Sequence, residues 1–110
     1  MIFDDCFIGL DLSIDEKQII DACIQALSFD FSVFSSVLSL LKKGDSAGIE
    51  QASIGIDSDP DEYTDGKKSY DGICFEYLGE KVILSYEKAD KIISNVIDKL
   101  EMDFFWDGFH

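Results

Sequence analysis

The densest group of chemically active side chains lies between residues 57 and 66, where the sequence reads DSDPDEYTDG. Carboxylates at its first, third and fifth positions are typical of the first half of a calcium loop. The sixth position of such a loop is normally Gly and the twelfth a bidentate Glu, but here they are Glu62 and Lys68. We therefore expect no metal and no cofactor at this segment.

Two interpretations of the acidic segment remain. Most runs of like charge are solvated faces without a partner. The alternative is a docking site, in which carboxylates pair with Lys and Arg of a partner and a tyrosine ring supplies a rigid anchor. The charge balance of the whole chain, 23 Asp and Glu against 9 Lys and Arg, gives −14 and favours docking. Such a surface attracts basic partners and speeds their encounter.

The sequence offers little for catalysis. His110 is the only histidine and the last residue, so a Ser–His or Cys–His pair would have its base at a chain end. Gly44, Gly48 and Gly55 do not have the spacing of a phosphate-binding loop. Carboxylate pairs are so numerous that their presence does not discriminate an acid–base site. We expect a protein that is not an enzyme.

Composition predicts one folded domain over residues 1–110, located in the cytoplasm. Hydrophobic residues make up 46% of the chain, which is ample for a core at this length. The first residues are acidic where a signal peptide is basic, and no apolar run approaches the ~20 residues of a membrane span. Three scattered cysteines are typical of reduced, buried thiols. Nucleic acid and anionic membranes bind basic patches, so neither is an expected partner.

Helical periodicity predicts three helices that frame the acidic segment. The first covers residues 14–28 and begins with a capping box, Ser13 with Glu16. The second covers residues 31–43, capped by Asp30. The third begins after Ser85 and carries an apolar stripe at helical spacing: Ala89, Ile92, Ile93, Val96, Ile97 and Leu100.

A two-residue period appears in two stretches between the second and third helices, 51–56 and 73–78, and residues 81–84 follow as the return strand. Residues 57–71 read as a loop, and Gly79-Glu80 as a two-residue hairpin turn. The order predicts an α+β domain with two N-terminal helices, a small three-stranded antiparallel sheet and a C-terminal helix packed on it. The aromatic tail from Phe104 to Phe109 is expected to pack into the core, the alternative being an exposed interaction patch.

The chain from the acidic loop into the last helix resembles immunity proteins of contact-dependent growth inhibition systems, in particular the group that neutralises ribonuclease toxins. In that group an acidic, aromatic-bearing loop precedes a D/E-G-I/V-x-F strand, and an I/V-S-Y-E step opens the last helix. The resemblance covers roughly residues 57–98. It is carried by Asp61-Glu62-Tyr63, Tyr70-Asp71-Gly72-Ile73-Cys74-Phe75-Glu76 and Val82-Ile83-Leu84-Ser85-Tyr86-Glu87.

The resemblance implies a non-catalytic inhibitor that binds the C-terminal toxin domain of a cell-surface effector and blocks it in the cytoplasm. A nuclease presents a basic, phosphate-binding active site, which an acidic protein can occlude. From charge we predict the partner-binding residues to be Asp57, Asp59, Asp61, Glu62, Tyr63, Asp65 and Tyr70. Binding at an exosite remains open, as does an alternative function, an acidic nucleic-acid mimic or adaptor acting on a host nucleic-acid-binding protein.

Overall fold

Helices occupy both ends of the chain and strands occupy its middle. The computed structural model describes residues 1–109, and the lone histidine, His110, lies outside the described residues. The elements are α1 (Ile14–Ser28), α2 (Phe31–Lys42), β1 (Ala47–Gly48), β2 (Ala52–Ile56), β3 (Tyr63–Thr64), β4 (Lys67–Lys68), β5 (Ile73–Tyr77), β6 (Glu80–Leu84) and α3 (Tyr86–Lys99). Short 3-10 turns cover Asp4–Phe7 and Pro60–Glu62.

The main sheet is antiparallel with the strand order β1-β2-β5-β6, and β3 and β4 form a separate two-stranded hairpin. The predicted α+β class, with two N-terminal helices and a C-terminal helix, is therefore confirmed. The sheet has four strands and not three, because β1 pairs with β2 over only two residues, Ala47 and Gly48. A strand of that length is too short to show an alternating pattern.

The helices begin where their capping residues predict. Ser13 Oγ accepts the Glu16 N–H at 3.1 Å, and Glu16 Oε1 accepts the Ser13 N–H at 2.9 Å, which completes the capping box. Asp30 caps α2 through the Ser32 N–H at 2.9 Å. Because Asp30 is extended at this cap, α1 and α2 meet at a bend of 113° and do not form one helix.

One face of the sheet forms the core with the helices. Ile54, Phe75 and Val82 lie side by side on adjacent strands and are buried, as are Ile56, Ile73 and Leu84 in the next row. The buried stripe of α3 joins the same cluster. Burial of each large apolar side chain contributes about 1.5–3 kcal/mol, so these rows dominate the stability of the fold.

All three cysteines are buried free thiols: Cys6, Cys23 and Cys74. Burial raises the pKa of Cys6 to about 11 and that of Cys23 to about 12, and it also raises the pKa of Cys74. The thiols therefore remain protonated near neutral pH, and a protonated thiol is a weak nucleophile.

No single helix within residues 1–109 is long and apolar enough to cross a membrane. The bent pair of α1 and α2 has the combined length and composition of a membrane span, but the apolar stripes of both helices lie in the core.

The hairpin turn between β5 and β6 is one residue earlier than predicted. Tyr77 pairs with Glu80, so the turn residues are Leu78 and Gly79, with φ of 49° and 84°. Positive φ at both positions defines a type I′ turn, which normally selects Asn or Gly at the first position. Leu gives no such signal, so the sequence pattern placed the turn at Gly79-Glu80.

The aromatic tail is partly buried, in line with the expectation of core packing for some of its rings. Phe109 is buried and packs edge-on against Trp106 and Tyr86. Phe105 remains exposed, and Lys42 Nζ lies 5.1 Å from the centre of its ring and donates to its carbonyl oxygen at 2.9 Å.

Candidate partner-binding site

Residues 57–71, called the acidic arm below, leave the main sheet after β2 and return to it at β5. The arm was predicted to be a plain loop, but it contains a 3-10 turn and the β3–β4 hairpin. Asp59 caps the turn by accepting the Asp61 N–H at 2.9 Å, and Pro60 occupies its first position. A capping Asp followed by Pro is a recognisable start signal for a helical turn.

Asp59 is a buried residue, only 6% exposed, that ties the arm to the start of β1. Its Oδ2 accepts the Ser46 N–H at 2.7 Å, and Ser46 Oγ in turn accepts the Ile56 N–H at 2.9 Å. The backbone donors of Ser46 and Asp61 lower the pKa of the Asp59 carboxyl, although burial opposes them.

Asp57 is the second buried anchor, 7% exposed, and it connects the arm to β5 and α3. Its Oδ2 accepts the Gly72 N–H at 2.8 Å and its Oδ1 accepts the Tyr86 hydroxyl at 2.5 Å. Lys68 Nζ lies 3.7 Å from Oδ2. Burial alone would raise the pKa of Asp57, but the donors from Tyr86, Gly72 and Lys68 outweigh it and the pKa is lowered.

Asp57 and Asp59, two of the predicted partner-binding residues, are therefore buried in the fold. Their oxygens are occupied by backbone and side-chain donors of the fold itself, so they fix the shape of the arm. Sequence reasoning missed this because Tyr86, a key donor, lies 29 residues away from Asp57.

Three of the predicted binding residues are exposed on the arm: Asp61, Tyr63 and Asp65. Tyr63 is 41% exposed, and Asp65 lies at the hairpin tip with a positive φ of 54°. Asp tolerates this conformation better than most residues. The arm thus presents two carboxylates and an aromatic ring from a small, hydrogen-bonded unit.

The other strand of the hairpin carries positive charge. Lys67 pairs with Thr64, and Lys68 pairs with Tyr63. Because Lys68 lies near Asp57, its charge is partly engaged by the base of the arm. The exposed acids and Lys67 therefore give the tip a mixed charge pattern, which adds orientation to any electrostatic contact.

The side chains of Tyr70 and Glu62 lie against the outer face of the sheet. Both are half-buried, and both lie over Gly55 of β2, where a methyl group would overlap the Tyr70 hydroxyl. Burial and the neighbouring Glu62 carboxylate raise the pKa of Tyr70. The Tyr70 hydroxyl is thus directed into the protein, so Tyr70 positions the arm and Tyr63 is the accessible ring.

Across residues 1–109, no three His, Cys, Asp or Glu side chains converge in a way that could hold a metal ion. At the arm, Asp57 and Asp59 already accept two hydrogen bonds each. The arrangement is suited to accepting hydrogen bonds from a cationic partner through Asp61 and Asp65.

Comparison of the chain with protein-family models, with curated proteins and with solved structures found no match in any of the three. We therefore infer function from the chemistry of this chain's own residues.

Proposed function

We propose that this protein is a cytoplasmic, non-catalytic immunity protein that binds and neutralises a cognate nuclease toxin domain, of the ribonuclease type, by covering its basic active site. The toxin domain would be the C-terminal part of a contact-dependent growth inhibition effector. The observation that carries the proposal is the acidic arm, which projects Asp61, Tyr63 and Asp65 from a base fixed by Asp57 and Asp59.

The hydrogen bonds that fix the ends of the arm matter because ordering a flexible loop on binding costs free energy and weakens the complex. A segment already held by hydrogen bonds loses less conformational entropy when it docks. The pairs from Asp59 to Ser46 and from Asp57 to Gly72 and Tyr86 hold the arm at both ends. The arm is therefore preorganised for contact.

The chemistry of the exposed residues fits a phosphate-binding site. A nuclease active site uses Lys, Arg or His to hold backbone phosphates, and carboxylates can accept the same hydrogen bonds. Asp61 and Asp65 would take the place of phosphates, while the Tyr63 ring would take the stacking position of a base. The surrounding net charge of −14 would accelerate the encounter.

The direct test is co-expression with the C-terminal domain of the effector encoded immediately upstream. We expect the wild-type chain to restore growth and to co-purify with that domain. An upstream region without any secreted effector, or a toxin domain that still kills in the presence of this chain, would refute the proposal.

Two matched variants locate the contact. The arm variant combines Asp61→Lys with Asp65→Asn, because Asn tolerates the positive φ at the tip. The control variant combines Asp11→Lys with Asp98→Asn, which are exposed positions outside the arm, and changes the net charge equally. We expect only the arm variant to lose growth rescue.

A further inference from the structure

A groove runs along one side of α1, away from the acidic arm. The helix contributes residues at three- and four-residue spacing over its whole length: Asp15, Gln18, Ile19, Ala22, Gln25, Ala26 and, just after it, Phe29. The fifteen residues from Asp15 to Phe29 span about 21 Å at the rise of an α-helix. The face of α1 that enters the core carries Ile20, Cys23 and Ile24, and Leu27 lies between the two faces because it is buried and also lines the groove.

The opposite wall comes from the end of the sheet and from α2. Two adjoining depressions of about 510 and 370 Å³ share Ala22 and Tyr77 as lining residues, and together they are called the α1 groove. Val33, Ile49 and Gln51 line the part near Phe29, while Leu78 and Glu80 line the part near Asp15. The lining mixes apolar side chains with the amides of Gln18, Gln25 and Gln51.

Two large apolar side chains at this groove do not pack into the core. Phe29 is 94% exposed and Leu78 is 69% exposed, and they line opposite halves of the groove. Leu78 also holds a positive φ of 49° in a turn that favours Asn or Gly. A strained, exposed leucine makes the fold less stable than a polar turn residue would, so its presence needs a reason outside folding.

The charged residues that line the groove are all acidic. Asp15, Asp30 and Glu80 lie along it, and none of the nine lysines in the chain lines either depression. Exposed apolar side chains beside carboxylates are complementary to an apolar stripe bordered by Lys or Arg.

We propose that this groove binds an amphipathic, basic α-helix of a partner protein, with Phe29 and Leu78 as the anchoring side chains. The small residues Ala22 and Ala26, four positions apart on α1, allow a second helix to approach closely. The groove length matches about four helical turns. The proposal does not depend on the identity of the partner proposed above.

Two other occupants fit the observations less well. An extended strand needs free backbone partners, but the Leu78 and Ile49 N–H groups already donate to Gln51 O at 2.9 Å and Ala52 O at 2.7 Å. A helix satisfies its own backbone. A second copy of this chain would bring together two molecules of charge −14, which repel each other.

The test uses a designed peptide of about 15 residues, long enough to fill the groove, with leucines at positions i, i+3, i+4 and i+7 and lysines elsewhere. A scrambled peptide of identical composition, which cannot form an apolar stripe, is the control for nonspecific charge attraction. Titration followed by fluorescence anisotropy should show tighter binding of the patterned peptide.

Phe29→Ser and Leu78→Asn should each weaken that binding by at least about tenfold, as expected for anchor residues. Ile8→Asn, at a comparably exposed position outside the groove, should leave it unchanged. Leu78→Asn should also raise the urea midpoint of unfolding or leave it unchanged, because Asn suits the turn. Loss of binding in this variant cannot then be attributed to unfolding.

Three results would overturn the proposal. Equal binding of the patterned and scrambled peptides would mean that binding is due to charge attraction alone. Unchanged binding by both groove variants would place the peptide elsewhere. A wild-type dimer in light scattering that Phe29→Ser converts to monomer would make a second copy the occupant.

Discussion

Asp57 shows how the role that a sequence suggests for a side chain can differ from its role in the fold. In the sequence it is the first of five clustered acids and was predicted to contact a partner. In the fold it accepts the Gly72 N–H and the Tyr86 hydroxyl and is nearly fully buried. A buried carboxylate with several donors is stabilised in its charged form, so this residue links stability to pH.

The lowered pKa of Asp57 sets the sign of that dependence. Its charged form contributes stability above the unfolded pKa of about 3.9, and this contribution is lost as pH falls through the lower folded pKa. Asp57→Asn should therefore lower the free energy of unfolding at pH 7 by about 2 kcal/mol, and the difference from wild type should shrink toward pH 3. Urea denaturation of both proteins at pH 7 and at pH 3 measures this difference in the free energy of unfolding.

The control for that experiment is Asp61→Asn, since Asp61 is exposed. It should change the free energy of unfolding by less than about 0.5 kcal/mol at pH 7. A difference between Asp57→Asn and wild type that stays constant from pH 7 to pH 3 would contradict the assigned role of the Asp57 charge.

The junction between the arm and β5 is closely packed. Gly72 has φ of 113°, and a methyl group on it would overlap the Leu84 carbonyl oxygen on β6. Only glycine allows this close approach while its N–H reaches Asp57. Gly72 thus permits the close approach to β6, and its own N–H also holds the arm through Asp57.

Gly72→Ala should therefore lower the free energy of unfolding by about 3 kcal/mol, from combined overlap and backbone strain. Gly66→Ala at the hairpin tip is the matched comparison, since φ there is 76° but nothing lies within 4 Å of an added Cβ. It should cost about 1 kcal/mol. Equal losses in the two variants, measured by chemical denaturation, would argue against the close approach at Gly72.

The sequence predicted those elements whose local signals agree with the tertiary fold. The capping box at Ser13 and the apolar stripe of α3 specify their helices by themselves. The exact turn at Leu78 was missed because leucine is an unusual choice at positive φ. The partners of Asp57 and Asp59 were missed because hydrogen bonds between distant residues leave no periodic pattern. Burial of a charge is decided by such partners.

For the whole molecule, the distribution of charge matters more than its total. Most of the 23 acids are exposed or half-buried, so the negative potential surrounds the protein. The two proposed binding surfaces differ in where their negative charge lies. The acidic arm presents carboxylates around one aromatic ring, whereas the α1 groove presents apolar side chains bordered by carboxylates. Association through either surface should weaken as salt is added.

The central claim, that the acidic arm directs binding to a basic toxin domain, is tested most directly by the association rate constant. Stopped-flow measurements with the purified upstream toxin domain would compare wild type, the arm variant (Asp61→Lys with Asp65→Asn) and the control variant (Asp11→Lys with Asp98→Asn) at low and high salt. We predict association at least about tenfold slower for the arm variant at low salt, a loss below about threefold for the control, and convergence of all three at high salt. Equal rate constants for the arm and control variants at low salt would contradict the claim.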